Sequence, residues 1–169
     1  DLDEVAPVVT SGAIGASIDE NSGAGQVIYI ASASDNADVS GGVSYSLAAG
    51  SDSALTIDAS TGEVTLADSP DHEAQDEYSF TVIATDAAGH SSDLAVTVAV
   101  NDLDEAAPTI TSSDNAGSVD ENANAQVVYT ASAEDAGDVT DGFAWSLSGA
   151  DKNVFAINAA TGDVTMLAS

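Results

Sequence analysis

The sequence contains no cysteine and, over 169 residues, only 1 basic side chain against 29 acidic ones, giving a formal charge of −28 with both histidines neutral. Without cysteine there can be no disulfide, thiolate metal site or cysteine nucleophile. With a single Lys and no Arg there is no surface for nucleic acid or an anionic membrane, because both need cations to replace counterions. No apolar run approaches the roughly 20 residues of a membrane span, and no basic-then-apolar signal segment opens the chain. No segment joins a 3.6-residue period to helix caps, so almost no helix is expected. What remains is 44% apolar with a mean hydropathy of +0.07, enough Val, Ile, Leu and Ala to build a core. A small module of this kind lacks a covalent staple, and a metal held by oxygens is the obvious replacement.

The chain repeats itself at about 100 residues. Asp1-Leu2-Asp3-Glu4-Val5-Ala6-Pro7 returns as Asp102-Leu103-Asp104-Glu105-Ala106-Ala107-Pro108, and Asp19-Glu20-Asn21 returns as Asp120-Glu121-Asn122. After one residue is lost in a loop, Tyr45-Ser46-Leu47 matches Trp145-Ser146-Leu147 and Ile57-Asp58-Ala59-Ser60-Thr61-Gly62 matches Ile157-Asn158-Ala159-Ala160-Thr161-Gly162. The first copy closes near Asn101 and the second stops opposite Ser69. A window cut from a longer tandem array is therefore expected. Its parts are a linker over 1–7, a complete repeat over 8–101, a second linker over 102–108 and an incomplete repeat over 109–169 without its last two strands.

Leu94, Val96, Val98 and Val100 alternate with Ala95, Thr97 and Ala99, the period of a half-buried strand. The same pattern predicts strands near 8–10, 26–34, 43–48, 54–58, 63–67 and 78–85, broken by Gly, Ser, Asp and Asn clusters. Seven short strands per roughly 100 residues predict an all-β, seven-stranded Greek-key sandwich in tandem. Thr61-Gly62 and Thr161-Gly162 sit where a hairpin must turn.

The acids that recur or bracket the linker are the informative ones: Glu20, Asp71 and Glu73, Asp86, Asp102, Asp104 and Glu105, then Asp135 and Asp138. Strand ends of a sandwich collect at two poles, so these loops are expected to gather at the domain junction. Like charges held close repel by about 1 kcal/mol per pair in water at 4 Å, and more when partly buried. A hard dication with six to eight oxygens at flexible geometry, Ca²⁺ rather than Mg²⁺, removes that cost. Isolated acids such as Asp52 and Asp93 read as solvated surface.

With these motifs the chain resembles the cadherin family, specifically the cadherin-like repeats of bacterial surface and secreted proteins of the adhesin type. Glu20 is similar to the glutamate of the family's Pro-Glu-Asn, Asp71-His72-Glu73 to its Asp-Arg-Glu, and Asp102 to Pro108 to its Asp-x-Asn-Asp-Asn-x-Pro linker. Asp135 resembles the first acid of Asp-x-Asp, with Asp138 in reach of the role of the second, and Asp86 the acid of Ala-x-Asp. The resemblance implies Ca²⁺ ions between successive domains that stiffen a rod, and makes Asp3, Asp35 and Asp86 the downstream half of an equivalent site. Ala106 stands where the family has Asn, so two ions are expected at the junction before a third.

Tyr45 and Trp145 invite a sugar-stacking reading, but a large ring on the third strand of a sandwich is more often core, and packing is the reading adopted. His72 and His90 have no Ser nucleophile and no second His at ligand spacing, so neither a triad nor a zinc site is expected. Chelating carboxylates stay ionised and make poor general acids, so the chain is not expected to be an enzyme. The expected function is a calcium-rigidified extracellular spacer or adhesion repeat of a large bacterial surface protein, secreted or at the cell surface. Its partners would be calcium and the neighbouring repeats, and beyond them a polysaccharide or another cell-surface protein. The alternatives are a carbohydrate-binding module with structural Ca²⁺ and a homophilic or filament-forming module completed by strand donation.

Overall fold

The period-two segment at the end of the first repeat becomes the longest strand of the molecule in the computed structural model, which describes residues 3–35, 41–120, 124–135 and 142–167. The chain divides into two compact units, Asp1–Leu103 and Asp104–Ser169.

In the first unit the strands are β1 (Val8–Val9), β2 (Ile18–Asp19), β3 (Gln26–Ile30), β4 (Ala33–Ser34), β5 (Ser44–Leu47), β6 (Leu55–Ile57), β7 (Glu63–Leu66), β8 (Glu77–Thr85) and β9 (Ser91–Asn101). They form a four-stranded sheet in the order β2-β9-β8-β5, a three-stranded sheet β3-β7-β6 and a small β1-β4 pair. The hairpin of β8 and β9 runs in register from Glu77 opposite Ala99 to Thr85 opposite Ser91. Alternation sends Tyr78, Phe80, Val82 and Ala84 of β8, with Val96, Val98 and Val100 of β9, to one buried face, as a strand's two-residue period requires. These pack on Ile28, Tyr29, Leu55, Val64 and Leu66 of the other sheet. Burying each of the larger side chains contributes about 1.5–3 kcal/mol. This is the all-β sandwich expected from the sequence.

Two features differ from the expected strands. The run 26–34 is two strands, because β3 pairs with β7 and β4 with β1; between them Ala31 donates its N–H to the Gly62 carbonyl at 2.8 Å and the Ser32 carbonyl accepts from Thr10. Within β3 the register slips between Val27 and Tyr29, a bulge that lets Ile28 and Tyr29, consecutive in sequence, both point inward. The parallel pair of β2 with β9 was not foreseen, since two residues carry no period.

The turn between β6 and β7 is built by side chains. Asp58 Oδ1 accepts the N–H groups of Ser60 and Thr61 at 2.8 and 2.9 Å and the Ser60 hydroxyl at 2.6 Å. Gly62 follows at φ 74°, and a Cβ there would lie 2.5 Å from the Ala31 carbonyl oxygen, so only glycine fits.

The second unit contains β10 (Thr109–Ile110), β11 (Gln126–Thr130), β12 (Ala133–Glu134), β13 (Phe155–Ile157), β14 (Asp163–Met166) and a 3-10 turn at Lys152–Val154. Its three-stranded sheet β11-β14-β13 pairs Gln126 with Met166 and Tyr129 with Val164, the same register as β3 and β7 displaced by 100 positions. No helix among the described residues is long and apolar enough to cross a membrane.

Candidate metal centre

The site at one end of the first unit starts from β2. Asp19, its last residue, accepts a hydrogen bond from the Asn101 side chain at 2.8 Å, and Glu20 donates its N–H to the Asn101 carbonyl at 3.2 Å. Asn21, with φ of 55° the one non-glycine residue in the left-handed region among those described, then turns the chain and donates its N–H to the Pro70 carbonyl. The three residues are thereby stapled between the end of β9 and the loop before β8.

The Glu20 side chain is 1% exposed. Its Oε2 accepts the His72 N–H at 2.9 Å and its Oε1 the Leu103 N–H at 2.6 Å. A buried carboxylate is expensive unless its charge is answered, and two N–H groups answer part of it. They also fix the loop carrying Glu73 relative to the segment carrying Asp102. Donor oxygens of Glu20 and Glu73 fall within 4.8 Å of each other, and so do donors of His72, Glu73 and Asp102. Asp102 keeps an Oδ1 with less than 1 Å² exposed.

Asp71 is not part of either group. It is exposed, its Oδ1 accepts the Ala74 N–H at 3.0 Å and its carbonyl accepts the Gln75 N–H. It shapes the turn that presents Glu73.

The opposite end of β8 carries a second group, about 27 Å away at the rise of an extended strand. Asp86, 5% exposed, lies with Asp3 and His90, one donor atom of each within 4.8 Å of the others. Burial pushes the Asp86 carboxyl up, but the backbone N–H groups of His90, Gly89 and Ala88 and the His90 ring outweigh it and hold its pKa below the ordinary value. Asp35 is half-buried, with an Oδ2 under 1 Å² exposed.

In the second unit Asp104 and Glu105 are exposed, and Asp135 is half-buried with an Oδ1 that has no hydrogen-bond partner among the described residues. Asp138 lies outside the described residues. Sequence reasoning set both histidines aside for want of a second His at ligand spacing, although His72 stands between two chosen acids and His90 four residues after a third. It also took Asp52 for solvated surface. Asp52 instead accepts the Ala54 N–H at 2.9 Å and the Gln75 side-chain N–H at 2.6 Å.

Half-buried Trp145 packs against the turn at Gly162, where a Cβ would meet its ring at 3.2 Å, and sits 6.1 Å from the exposed ring of Phe143. Tyr45, its counterpart, packs against the margin of the core and accepts the Ala33 N–H at 3.0 Å.

Carboxylates from separate loops, several with buried oxygens, suit a hard dication that takes six to eight oxygens at about 2.3–2.6 Å. Glu20, Glu73 and Asp102 would hold one at the first end, and Asp3 and Asp86 one at the other.

Comparison with known proteins bears on the family and the fold. The cadherin domain family matches residues 14–101. Human protocadherin-16 is 32% identical over 117 residues, 67% of this chain, which spans 4% of that protein's length. The extracellular cadherin domains 3–6 of protocadherin gamma B2 superpose with a TM-score of 0.70 at 25% identity, covering 96% of this chain and 43% of that one. The human desmocollin-1 ectodomain, at 16% identity, shares the fold alone, with a TM-score of 0.74 over 98% of this chain and 34% of its own. Cadherin domains are non-enzymatic adhesion modules of secreted and cell-surface proteins that bind calcium between repeats. With more than half of its length matched by that family and the sandwich in place, the chain belongs to the cadherin family, whose domains are extracellular.

Proposed function

We propose that the chain is a calcium-rigidified spacer or adhesion repeat of a large surface protein. The observation that carries this reading is Glu20. A carboxylate at 1% exposure, clamped by the backbones of His72 and Leu103, stands with Glu73 and Asp102 in a chain that has 1 basic side chain against 29 acidic ones. Unanswered, such carboxylates repel by about 1–4 kcal/mol per pair at 4 Å, depending on burial. Asp71 keeps the Glu73 loop in shape, and Glu20 sets the spacing. Asp104, Glu105, Asp135 and Asp138 are assigned as further carboxylate ligands of calcium. Asp3, Asp35 and Asp86 are assigned to an equivalent site at the other end of the first unit. Calcium, when bound, would neutralise these carboxylates and join the loops that carry them, adding folding free energy by linkage.

The array organisation, with linkers over 1–7 and 102–108, a complete repeat over 8–101 and an incomplete one over 109–169, belongs to the same proposal. So does the setting of a bacterial adhesin, which rests on composition: a −28 charge and no cysteine suit export in a calcium-poor state and folding in a calcium-rich exterior. Other repeats of the array are the proposed neighbours.

Calorimetric titration of the chain with Ca²⁺, with solution scattering before and after, tests the reading. Saturable binding with an increase in maximum dimension is expected; no binding at millimolar Ca²⁺ would overturn it.

A further inference from the structure

Besides its carboxylates, this acidic chain has two imidazoles, and the fold sets each beside carboxylates at one end of the first repeat. His72 Nδ1 lies 3.5 Å from Asp102 Oδ2 and 3.8 Å from Glu73 Oε1. Both separations are longer than the roughly 2.7–3.2 Å of an N–H···O hydrogen bond. They are close to what donors sharing one ion show: two ligands at about 2.0–2.2 Å from a dication lie about 3.3–3.6 Å apart at the tetrahedral angle. The frame around them is rigid. Glu20, buried, accepts the backbone N–H of His72 itself and of Leu103, the neighbour of Asp102, so one side chain sets the distance between the loops that carry the donors.

The imidazole changes which metal the group suits. Calcium selects oxygens, whereas a neutral imidazole with two carboxylates is a donor set for borderline first-row dications. We propose that His72 Nδ1, Glu73 and Asp102 form a site for a transition dication of the zinc class, which competes with calcium for the two carboxylates. The absence of a second histidine, which argued against zinc in the sequence, is made good by Asp102, 30 positions away in the chain. The site stands on its own donor geometry; only the competition rests on the calcium reading. At the other end His90 Nδ1 is 3.2 Å from Asp86 Oδ2, which a hydrogen bond explains, so the proposal is confined to His72.

Because the chain has two histidines, a long-range ¹H–¹⁵N spectrum contains two imidazoles, assigned with His72→Gln and His90→Gln. Zn²⁺ added to the calcium-free chain is expected to shift Nδ1 of His72. Co²⁺ is expected to develop visible bands that excess Ca²⁺ removes. His72→Gln should weaken Zn²⁺ binding by roughly tenfold or more and leave the Ca²⁺ titration within about twofold, since calcium uses the oxygens. Glu73→Gln should weaken both. A His72 ring unmoved by Zn²⁺, or Zn²⁺ affinity unchanged in His72→Gln, overturns the proposal. Zn²⁺ binding intact in a chain that takes up no Ca²⁺ would overturn the calcium reading and leave this one standing.

Discussion

Leu66 and Met166 occupy corresponding positions of two equivalent three-stranded sheets, in the same register, yet Leu66 is wholly buried and Met166 is only half-buried. The difference runs through the two units. Ile28, Tyr29, Ala31 and Leu55 are core, whereas their counterparts Val128, Tyr129, Ala131 and Phe155 are half-buried. What the first unit has in addition, among the described residues, is the sheet made by β2, β9, β8 and β5. Counterparts of β8 and β9 would fall past position 169 by the 100-residue offset. In the second unit an apolar cavity of about 580 Å³, lined by Tyr129, Trp145, Leu147, Phe155 and Ile157 among others, lies on the corresponding face. Trp145-Ser146-Leu147 repeats the pattern of Tyr45-Ser46-Leu47, yet only the latter is a strand, because β5 bonds to β8. A sheet face is a core only when another sheet covers it.

The largest effect that would sharpen this comparison is on stability. Phe80→Ala, in β8, should cost about 3–5 kcal/mol in the first unit, while Phe155→Ala should cost under about 1.5 kcal/mol, both read by chemical denaturation of the whole chain. Trp145→Ala, at a half-buried ring, should cost about 1–2 kcal/mol, less than a fully buried one. Equal losses for Phe80 and Phe155 would mean that the face of the second unit is covered in solution. Hydrogen exchange reads the same contrast without substitution: amides of β8 and β9 should be protected to the global limit, and those of β11, β13 and β14 should exchange through smaller openings.

Next in size is the metal. Glu20→Gln or Asp102→Ala should lower Ca²⁺ affinity at least tenfold, about 1.4 kcal/mol, whereas Asp93→Ala, on an exposed position of β9, should leave it unchanged. Asp71→Ala should act mainly through the turn, so its effect on calcium should be the smallest of the acids in that loop. Retained affinity in both Glu20→Gln and Asp102→Ala would remove these residues from the site. Asp52→Ala, which would have served as an inert control on sequence grounds, should instead cost about 1 kcal/mol of stability by releasing the Ala54 N–H and Gln75.

The smallest effect separates two turns of one design. Asp58 is held at a pKa of about 2, foremost by the Ser60 hydroxyl and then by the N–H groups of Thr61 and Ser60, whereas Asn158 makes the corresponding bonds to Ala160 and Thr161 without a charge. Because the folded pKa of Asp58 is depressed, its contribution is present above the unfolded carboxylate value of about 3.9 and is lost as pH falls toward about 2. Asp58→Asn should therefore flatten the acid limb of the first unit's stability curve. An unchanged acid limb would show that the turn does not couple to folding. Asp163, also held below its ordinary value by the hydroxyls of Thr130 and Thr161, leaves the second unit a weaker acid dependence of its own.

The sequence by itself determined what is local or repeated. The period of two in β8 and β9, the turn at Asp58 to Gly62 and its duplicate, and the clustering of acids at strand ends follow from side-chain alternation, positive φ and charge, all of which a linear chain carries. Only the tertiary structure decided what depends on a distant partner. The run 26–34 divides because its halves bond to different strands, β2 exists because β9 lies beside it, and Glu20 rather than Asp71 is the buried acid because the backbones of His72 and Leu103 close over it. The nearness of His72 to Asp102 was invisible for the same reason: a metal site needs donors within a few ångströms, and only the packing of strands brings together residues that the chain keeps apart.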